Sequence, residues 1–160
     1  KGMIAISTAR FPKGTTGAQI DILARQFLWQ AGITYNHGTG HGVGAYLGVH
    51  EGPVGISARY HTPFEAGNVV SNEPGYYKAG AYGIRIENLI TVVENPNFPD
   101  YFEFETLTLA PIDKRLIEPK LLTEAERNWL DAYHQRVWQE IGPHVEGKVK
   151  TWLKQATAPL

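Results

Sequence analysis

Between residues 32 and 55 the chain places eight of its 17 glycines, and four of them, Gly38, Gly40, Gly42 and Gly44, alternate with other residues. A glycine inside a helix costs about 1 kcal/mol relative to alanine, so this alternation excludes a helix there. It also removes every second side chain, which lets the backbone approach a neighbouring strand or a ligand closely. Three of the six histidines, His37, His41 and His50, fall in this stretch. His37 and His41 are four residues apart, but without a helix they do not form the helical H-E-x-x-H zinc motif. A single histidine in such a place is more often structural. Three together, with acidic groups elsewhere in the chain, point toward a metal or proton-transfer site.

The flanks read as a mixture of helices and short strands. Residues 1–9 suggest the end of a helix, although the alternation of Ile4 and Ile6 also fits a strand. Lys1 is not an initiator methionine and no capping signal precedes the first apolar run, so the chain is expected to derive from a longer polypeptide. Residues 12–17 read as a loop. From Ala18 to Ala31, Ile20, Leu23, Ala24, Phe27, Leu28 and Ala31 make one helical stripe, which Gly32 closes. Ile22 and Trp29 form a second apolar line, and a helix with two such faces is expected to be covered on both. Cover by the same domain is the default, and a second subunit the alternative.

Residues 67–70, 83–87 and 89–93 read as strands, with a turn enforced by Pro74-Gly75, and Phe102, Phe104 and Thr106 alternate in another. Thr123 and Glu126 make a capping box ahead of Leu130, Tyr133, Val137 and Ile141 at helical spacing. Gly142-Pro143 ends that helix, and a shorter one runs to about Ala156.

Charge and composition narrow the chemistry. The chain has no cysteine and a net charge of -1. That removes disulfides, zinc-thiolate sites and thiol nucleophiles, and it argues against a nucleic-acid partner. No apolar run reaches the roughly 18 residues of a membrane helix, so a cytoplasmic protein without membrane partners is expected. Residues 32–111 hold three basic against eight acidic residues, a local balance of -5 that favours a metal ion or a peptide ammonium group, though acidic loops are common in soluble proteins.

Two carboxylates stand out. Glu73 lies at a strand end just before Pro74-Gly75. Glu87 follows Ile84-Arg85-Ile86, and period two places Arg85 and Glu87 on one face of a strand. The plain reading of that pair is a surface ion pair worth little. One histidine and two glutamates would suit Mn, Fe, Co or Zn. Two divalent ions carry more charge than these glutamates and a hydroxide supply, so further carboxylates are expected. There is no G-x-S-x-G elbow and no phosphate loop.

The run His37-Gly-Thr-Gly-His41-Gly-Val-Gly, then Val49-His50-Glu51-Gly52-Pro53, Asn72-Glu73-Pro74-Gly75-Tyr76-Tyr77 and Gly83-Ile84-Arg85-Ile86-Glu87-Asn88, resembles the C-terminal half of the catalytic domain of Xaa-Pro aminopeptidases, the aminopeptidase P members of the pita-bread metallopeptidases. The tail, with Phe104-Glu105-Thr106-Leu107-Thr108 and the helix containing Trp129, is similar to the long type. The resemblance implies an α+β fold: half of a pita-bread, a curved and mostly antiparallel sheet with covering helices over 1–111, and a C-terminal helical extension over 112–160.

It further implies two divalent metal ions, most often Mn2+, with His41, Glu73 and Glu87 among the ligands and Glu87 bridging both. His37 and His50 match histidines that contact substrate and shuttle protons. Glu73 also matches the carboxylate that takes a proton from the metal-bridging hydroxide, and Arg85 a buried partner of Glu87. The implied activity is release of the N-terminal residue from peptides with proline second. The alternatives are a prolidase-like X-Pro dipeptidase and a metal-free protein-binding module. Relatives take two more ligands from paired aspartates upstream of the histidine motif. No such pair is present here, since Asp21 falls on the predicted helix, so the chain alone is expected to be inactive. Long members are often homodimers through the catalytic domain, and Trp29 is the candidate contact.

Overall fold

The computed structural model describes residues 1–46 and 48–160, which form two compact units, Lys1–Thr108 and Leu109–Leu160. In the first unit the chain runs α1 (Gly2–Ser7), β1 (Arg10–Pro12), α2 (Gly17–Gln30), β2 (Gly40–His41), β3 (Gly55–Ile56), β4 (Val69–Asn72), β5 (Gly75–Lys78), β6 (Tyr82–Arg85), β7 (Asn88–Glu94) and β8 (Tyr101–Thr106). Four strands form an antiparallel sheet in the order β1-β8-β7-β4. Its register sets Val70 opposite Ile90 and Asn72 opposite Asn88. Alternation along β7 buries Ile90 and Val92, which join Phe11, Ile20, Val70 and Phe104 in one core.

The first residues are helical rather than extended, and Ile4 and Ile6 are both buried. Helix α2 starts where the sequence reads as loop. Thr16 caps it, and the Gln19 side chain accepts from the Thr16 N–H at 2.8 Å, a reciprocal box that satisfies free donors of the first turn. Gly32 ends the region in the left-handed conformation, with φ of +70°.

Two expectations are corrected. The second apolar line of α2 is not covered by its own domain: Ile22 and Trp29 are 41% and 53% exposed among the described residues, because the helix turns Ile20 and Ala24 inward and packs one face only, which leaves cover by a second subunit as the alternative. Pro74-Gly75 does not make a turn either. Gly75 opens β5, which pairs with β6 as a separate hairpin, and the reversal comes at Gly80, whose φ is +70°. The hairpin swings Tyr77 toward the glycine-rich stretch.

The second unit holds α3 (Glu124–Ile141) and α4 (Gly147–Ala156). The capping box forms: Thr123 Oγ1 accepts from the Glu126 N–H at 3.2 Å, and Glu126 accepts from the Thr123 N–H at 2.8 Å. Tyr133, Val137 and Leu153 make its core, with Trp129 stacked on Tyr133 at 5.4 Å and Trp138 packed alongside, while Trp152 stays exposed.

His134 is fully buried, and its Nε2 accepts from the Ile112 N–H at 3.0 Å while Nδ1 has no partner among the described residues. Burial, aided by the charge of Lys114 and partly opposed by Asp131, holds its pKa below the ordinary value. The folded ring therefore stays neutral where the unfolded ring, titrating near about pH 6.5, takes a proton. Its contribution to stability is complete above that pH and is lost as pH falls toward the depressed folded value, by at most about 1.4 kcal/mol per pH unit. His134→Gln keeps an acceptor and cannot titrate. Protection of the α3 amides, taken relative to the intrinsic exchange rate at each pH, is expected to weaken between pH 7 and 5 (about two units, spanning the ordinary histidine range) in the parent chain and to change less in the variant.

Candidate metal and catalytic site

Gly40 on strand β2 and Gly42 just after it lie between closer neighbours than a side chain would allow. Strand β2 pairs with β3, His41 opposite Gly55, and on its other side lies β4, reached by the His41 N–H to Ser71 Oγ at 3.0 Å and the Val43 N–H to the Val69 carbonyl at 3.0 Å. A Cβ on Gly40 would stand 1.9 Å from the Ser71 carbonyl oxygen, and one on Gly42 2.0 Å from that of Glu51. The glycines are thus required by packing against backbone on two sides, and the histidine between them is turned toward Glu73 and His50.

His41, Glu73 and Glu87, separated by up to 46 positions in the chain, bring one donor atom each to within 4.8 Å of one another. A single buried hydroxyl organises the first two. Ser71 Oγ accepts from the His41 N–H and donates to Glu73 Oε1 at 2.8 Å, while the Glu73 N–H is held by the Thr39 carbonyl at 2.7 Å. Ser71 and Glu73 lie two apart at the end of an extended strand and therefore share a face.

Glu87 is not on a strand. Strand β6 ends at Arg85 and β7 begins at Asn88, so Glu87 occupies the break between them. Arg85, for which the resemblance implies burial, has a side chain 49% exposed; its Nε donates to Glu87 Oε2 at 3.1 Å and lies 3.9 Å from Glu73 Oε2. A hydrogen bond with Tyr77, then the Glu87 charge, hold the guanidinium above its ordinary pKa.

His50 lies over His41, ring centroids 3.9 Å apart. His37 is held at both nitrogens, Nδ1 at 2.7 Å from the Gly38 carbonyl oxygen and Nε2 at 3.0 Å from the Tyr77 hydroxyl. With Arg59, Glu73 and Arg85 the three histidines line a cavity of about 650 Å³. Ser71, Tyr77 and Arg59 were not singled out from the sequence. Period two from Glu73 back to Ser71 carried a signal for the first; Arg59 lines the cavity and Tyr77 meets His37 across 40 positions, and local spacing encodes neither.

The sequence profile of metallopeptidase family M24 matches residues 1–94, and that of the C-terminal region of peptidase M24 matches residues 100–160. The chain belongs to metallopeptidase family M24. It is 51% identical over 170 aligned residues to a protein named "Probable Xaa-Pro aminopeptidase P" from Paracoccidioides brasiliensis (strain Pb03), an alignment covering 100% of this chain and 28% of that protein. Among solved structures it is similar to an X-prolyl aminopeptidase from Caenorhabditis elegans, described as a cytosolic enzyme with a di-nuclear active site, at 42% identity and a TM-score of 0.92 over 99% of this chain and 27% of that one. A prolidase from Pyrococcus furiosus matches at 31% identity and a TM-score of 0.57, over 67% of this chain and 29% of that one. The chain therefore spans little more than a quarter of the length of these relatives. The half-pita-bread, α+β class expected from the sequence is the class observed.

The donor set of this M24 chain fits a divalent cation on its own chemistry. His41 Nδ1 lies 2.9 Å from the Gly42 carbonyl, which can only accept, so the ring hydrogen sits on Nδ1 and Nε2 presents a lone pair. That lone pair faces the Glu73 carboxylate at 3.3 Å, with Glu87 as a third acceptor close by. Acceptors gathered in this way need a proton or a cation between them, and a mixed N and O set suits first-row divalent ions.

Proposed function

We propose that this chain is the C-terminal part of the catalytic domain of a metal-dependent aminopeptidase that releases the N-terminal residue from peptides with proline second, with residues 112–160 as its helical extension. The observation that carries this reading is the convergence of His41, Glu73 and Glu87 on one point beside His37 and His50. His41, Glu73 and Glu87 would hold two divalent cations, which we take to be Mn2+, together with carboxylates contributed from outside these 160 residues, because two glutamates leave four positive charges underbalanced. When bound, such cations polarise a carbonyl and lower the pKa of water toward neutrality.

The chain's own residues do the rest. Glu73, fixed by Ser71, accepts and returns a proton. His50, beside His41, faces the oxygen on which charge develops. His37 keeps its Nδ1 hydrogen on the Gly38 carbonyl, so its Nε2 lone pair, beside the Tyr77 hydroxyl, takes up the proton that Glu73 returns and passes it to the departing proline nitrogen. An X-Pro amide has no N–H for a peptidase to grip, so recognition rests on shape and on the acidic field around the substrate's ammonium group.

The 51% identity to a relative named Xaa-Pro aminopeptidase P, against 31% to the prolidase, favours the aminopeptidase over a dipeptidase. Retention of three donors at one point speaks against a metal-free binding module. A full-length enzyme carrying this segment is expected to cleave X-Pro-X tripeptides as well as X-Pro dipeptides and to contain metal by elemental analysis. Cleavage of dipeptides alone would establish the prolidase reading, and absence of both metal and turnover the binding module.

The protein is also proposed to be cytoplasmic, in line with the cytosolic description of the C. elegans enzyme; among the described residues no helix is long and apolar enough to cross a membrane. A homodimer through the exposed Ile22 and Trp29 line completes the proposal. Trp29→Glu is expected to halve the mass measured by light scattering, and an unchanged mass would refute that contact.

A further inference from the structure

We propose that Asp21 and Arg25 of α2 are positioning residues for the site, locking the backbone of residues 35–39 so that His37 and Glu73 are held in register. Residues 33–39 belong to no helix or strand, so no ladder of hydrogen bonds fixes them. What fixes them is one guanidinium. Arg25 Nε donates to Asp21 Oδ2 at 2.8 Å, Nη1 to the Tyr35 carbonyl at 2.9 Å and Nη2 to the His37 carbonyl at 2.8 Å, and the group lies 4.2 Å above the Tyr35 ring. The other oxygen of Asp21 takes the Thr39 hydroxyl at 2.5 Å, and the Tyr35 hydroxyl lies 2.5 Å from the same Thr39 oxygen.

The hydrogens can be assigned. Burial pushes the Tyr35 phenol above its ordinary pKa, so it stays protonated and donates to Thr39, whose own hydrogen goes to the carboxylate. Thr39 in turn offers its carbonyl to the Glu73 N–H. The path therefore runs from α2 through the loop to both groups, and neither Asp21 nor Arg25 touches the cavity.

Stability alone does not call for this arrangement. The Asp21 and Arg25 side chains are 9% and 13% exposed, and a buried ion pair of this kind is often replaced by apolar residues at no cost. What an apolar pair cannot do is fix two carbonyls and a hydroxyl in a single geometry. Lysine, a point donor, cannot do so either.

The inference rests on the aminopeptidase reading, and its test has one arm that does not. In the full-length enzyme, Asp21→Asn, Arg25→Lys and the isosteric Thr39→Val are expected to lower kcat on an X-Pro-X peptide by about 10- to 100-fold. KM and metal content per chain should stay within about threefold of the parent, and Thr39→Ser, which keeps the hydroxyl, should restore kcat to the same margin. Amide exchange at Glu73 is expected to speed up in the first three variants and not in Thr39→Ser. Unchanged exchange at Glu73, or a Thr39→Val enzyme equal to Thr39→Ser, overturns the inference. If the parent enzyme leaves X-Pro peptides uncut, the functional reading fails while the exchange comparison still decides the lock. Should the charged-pair variants not fold, the two Thr39 variants carry the test.

Discussion

Glu73→Gln in the full-length enzyme is expected to lower kcat on X-Pro-X peptides by about 10³-fold or more, with little effect on folding. The substitution keeps the shape of the side chain and an oxygen to accept from Ser71 Oγ, so the contact that fixes it to β4 survives. Two things are lost. The negative charge that would hold a cation disappears, and with the carboxamide oxygen kept in the place of Oε1, which faces both Ser71 Oγ and His41 Nε2, the NH2 group replaces Oε2 and brings a donor where a second acceptor stood beside Arg85. No group of suitable basicity then remains at this position to accept a proton. Elemental analysis should show reduced metal, and thermal unfolding a change within about 1 kcal/mol, ordinary for a substitution that keeps its main contact. A metal-replete variant with the parent's kcat would remove Glu73 from the mechanism and, with it, the role proposed for Ser71.

What the sequence made legible, and what it did not, divides along chain separation. The apolar stripe of α2, the closing Gly32, the Thr123–Glu126 box and the alternation of β8 are local patterns, each decided by residues within a turn or a strand of one another, and each is present in the fold. The misreadings had local causes too. Thr16-x-x-Gln19 was a cap hidden in a segment rich in glycine and threonine. Pro74-Gly75 carried turn chemistry, but Gly75 faces Arg85 across a hairpin, and cross-strand pairing overrode the local preference.

The histidine and glutamate motifs picked out His41, Glu73 and Glu87, whose donor atoms converge, without showing what supports them. Asp21 was set aside because it lies on a helix, yet it reaches Thr39, 18 positions on, and Tyr77 meets His37 across 40. Periodicity says which face a side chain occupies. It does not say which distant carbonyl waits on the other side.

Gly40→Ala is the second change expected to have a large effect, and it tests the packing on which the site is built. The methyl group would stand 1.9 Å from the Ser71 carbonyl oxygen, well inside contact distance, and the obstruction is strand backbone that cannot rotate away. Strand β2 must therefore retreat from β4, stretching the bond from the His41 N–H to Ser71 Oγ and loosening the hydroxyl that also holds Glu73. Overpacking and the lost hydrogen bond together are expected to cost about 2–4 kcal/mol. The displacement should also weaken metal binding, since His41 moves with the strand.

Gly80→Ala is the control. Gly80 has φ of +70° with nothing within 4 Å of an added methyl, so the strain there is conformational only and is expected to cost about 1 kcal/mol. Its hairpin turn carries none of the three donors. Thermal unfolding with elemental analysis on both variants separates the two causes: Gly40→Ala should lose both stability and metal, and Gly80→Ala a little stability alone. If the two behave alike, β2 is not pressed against β4, and the close backbone approach that explains the glycine alternation is wrong.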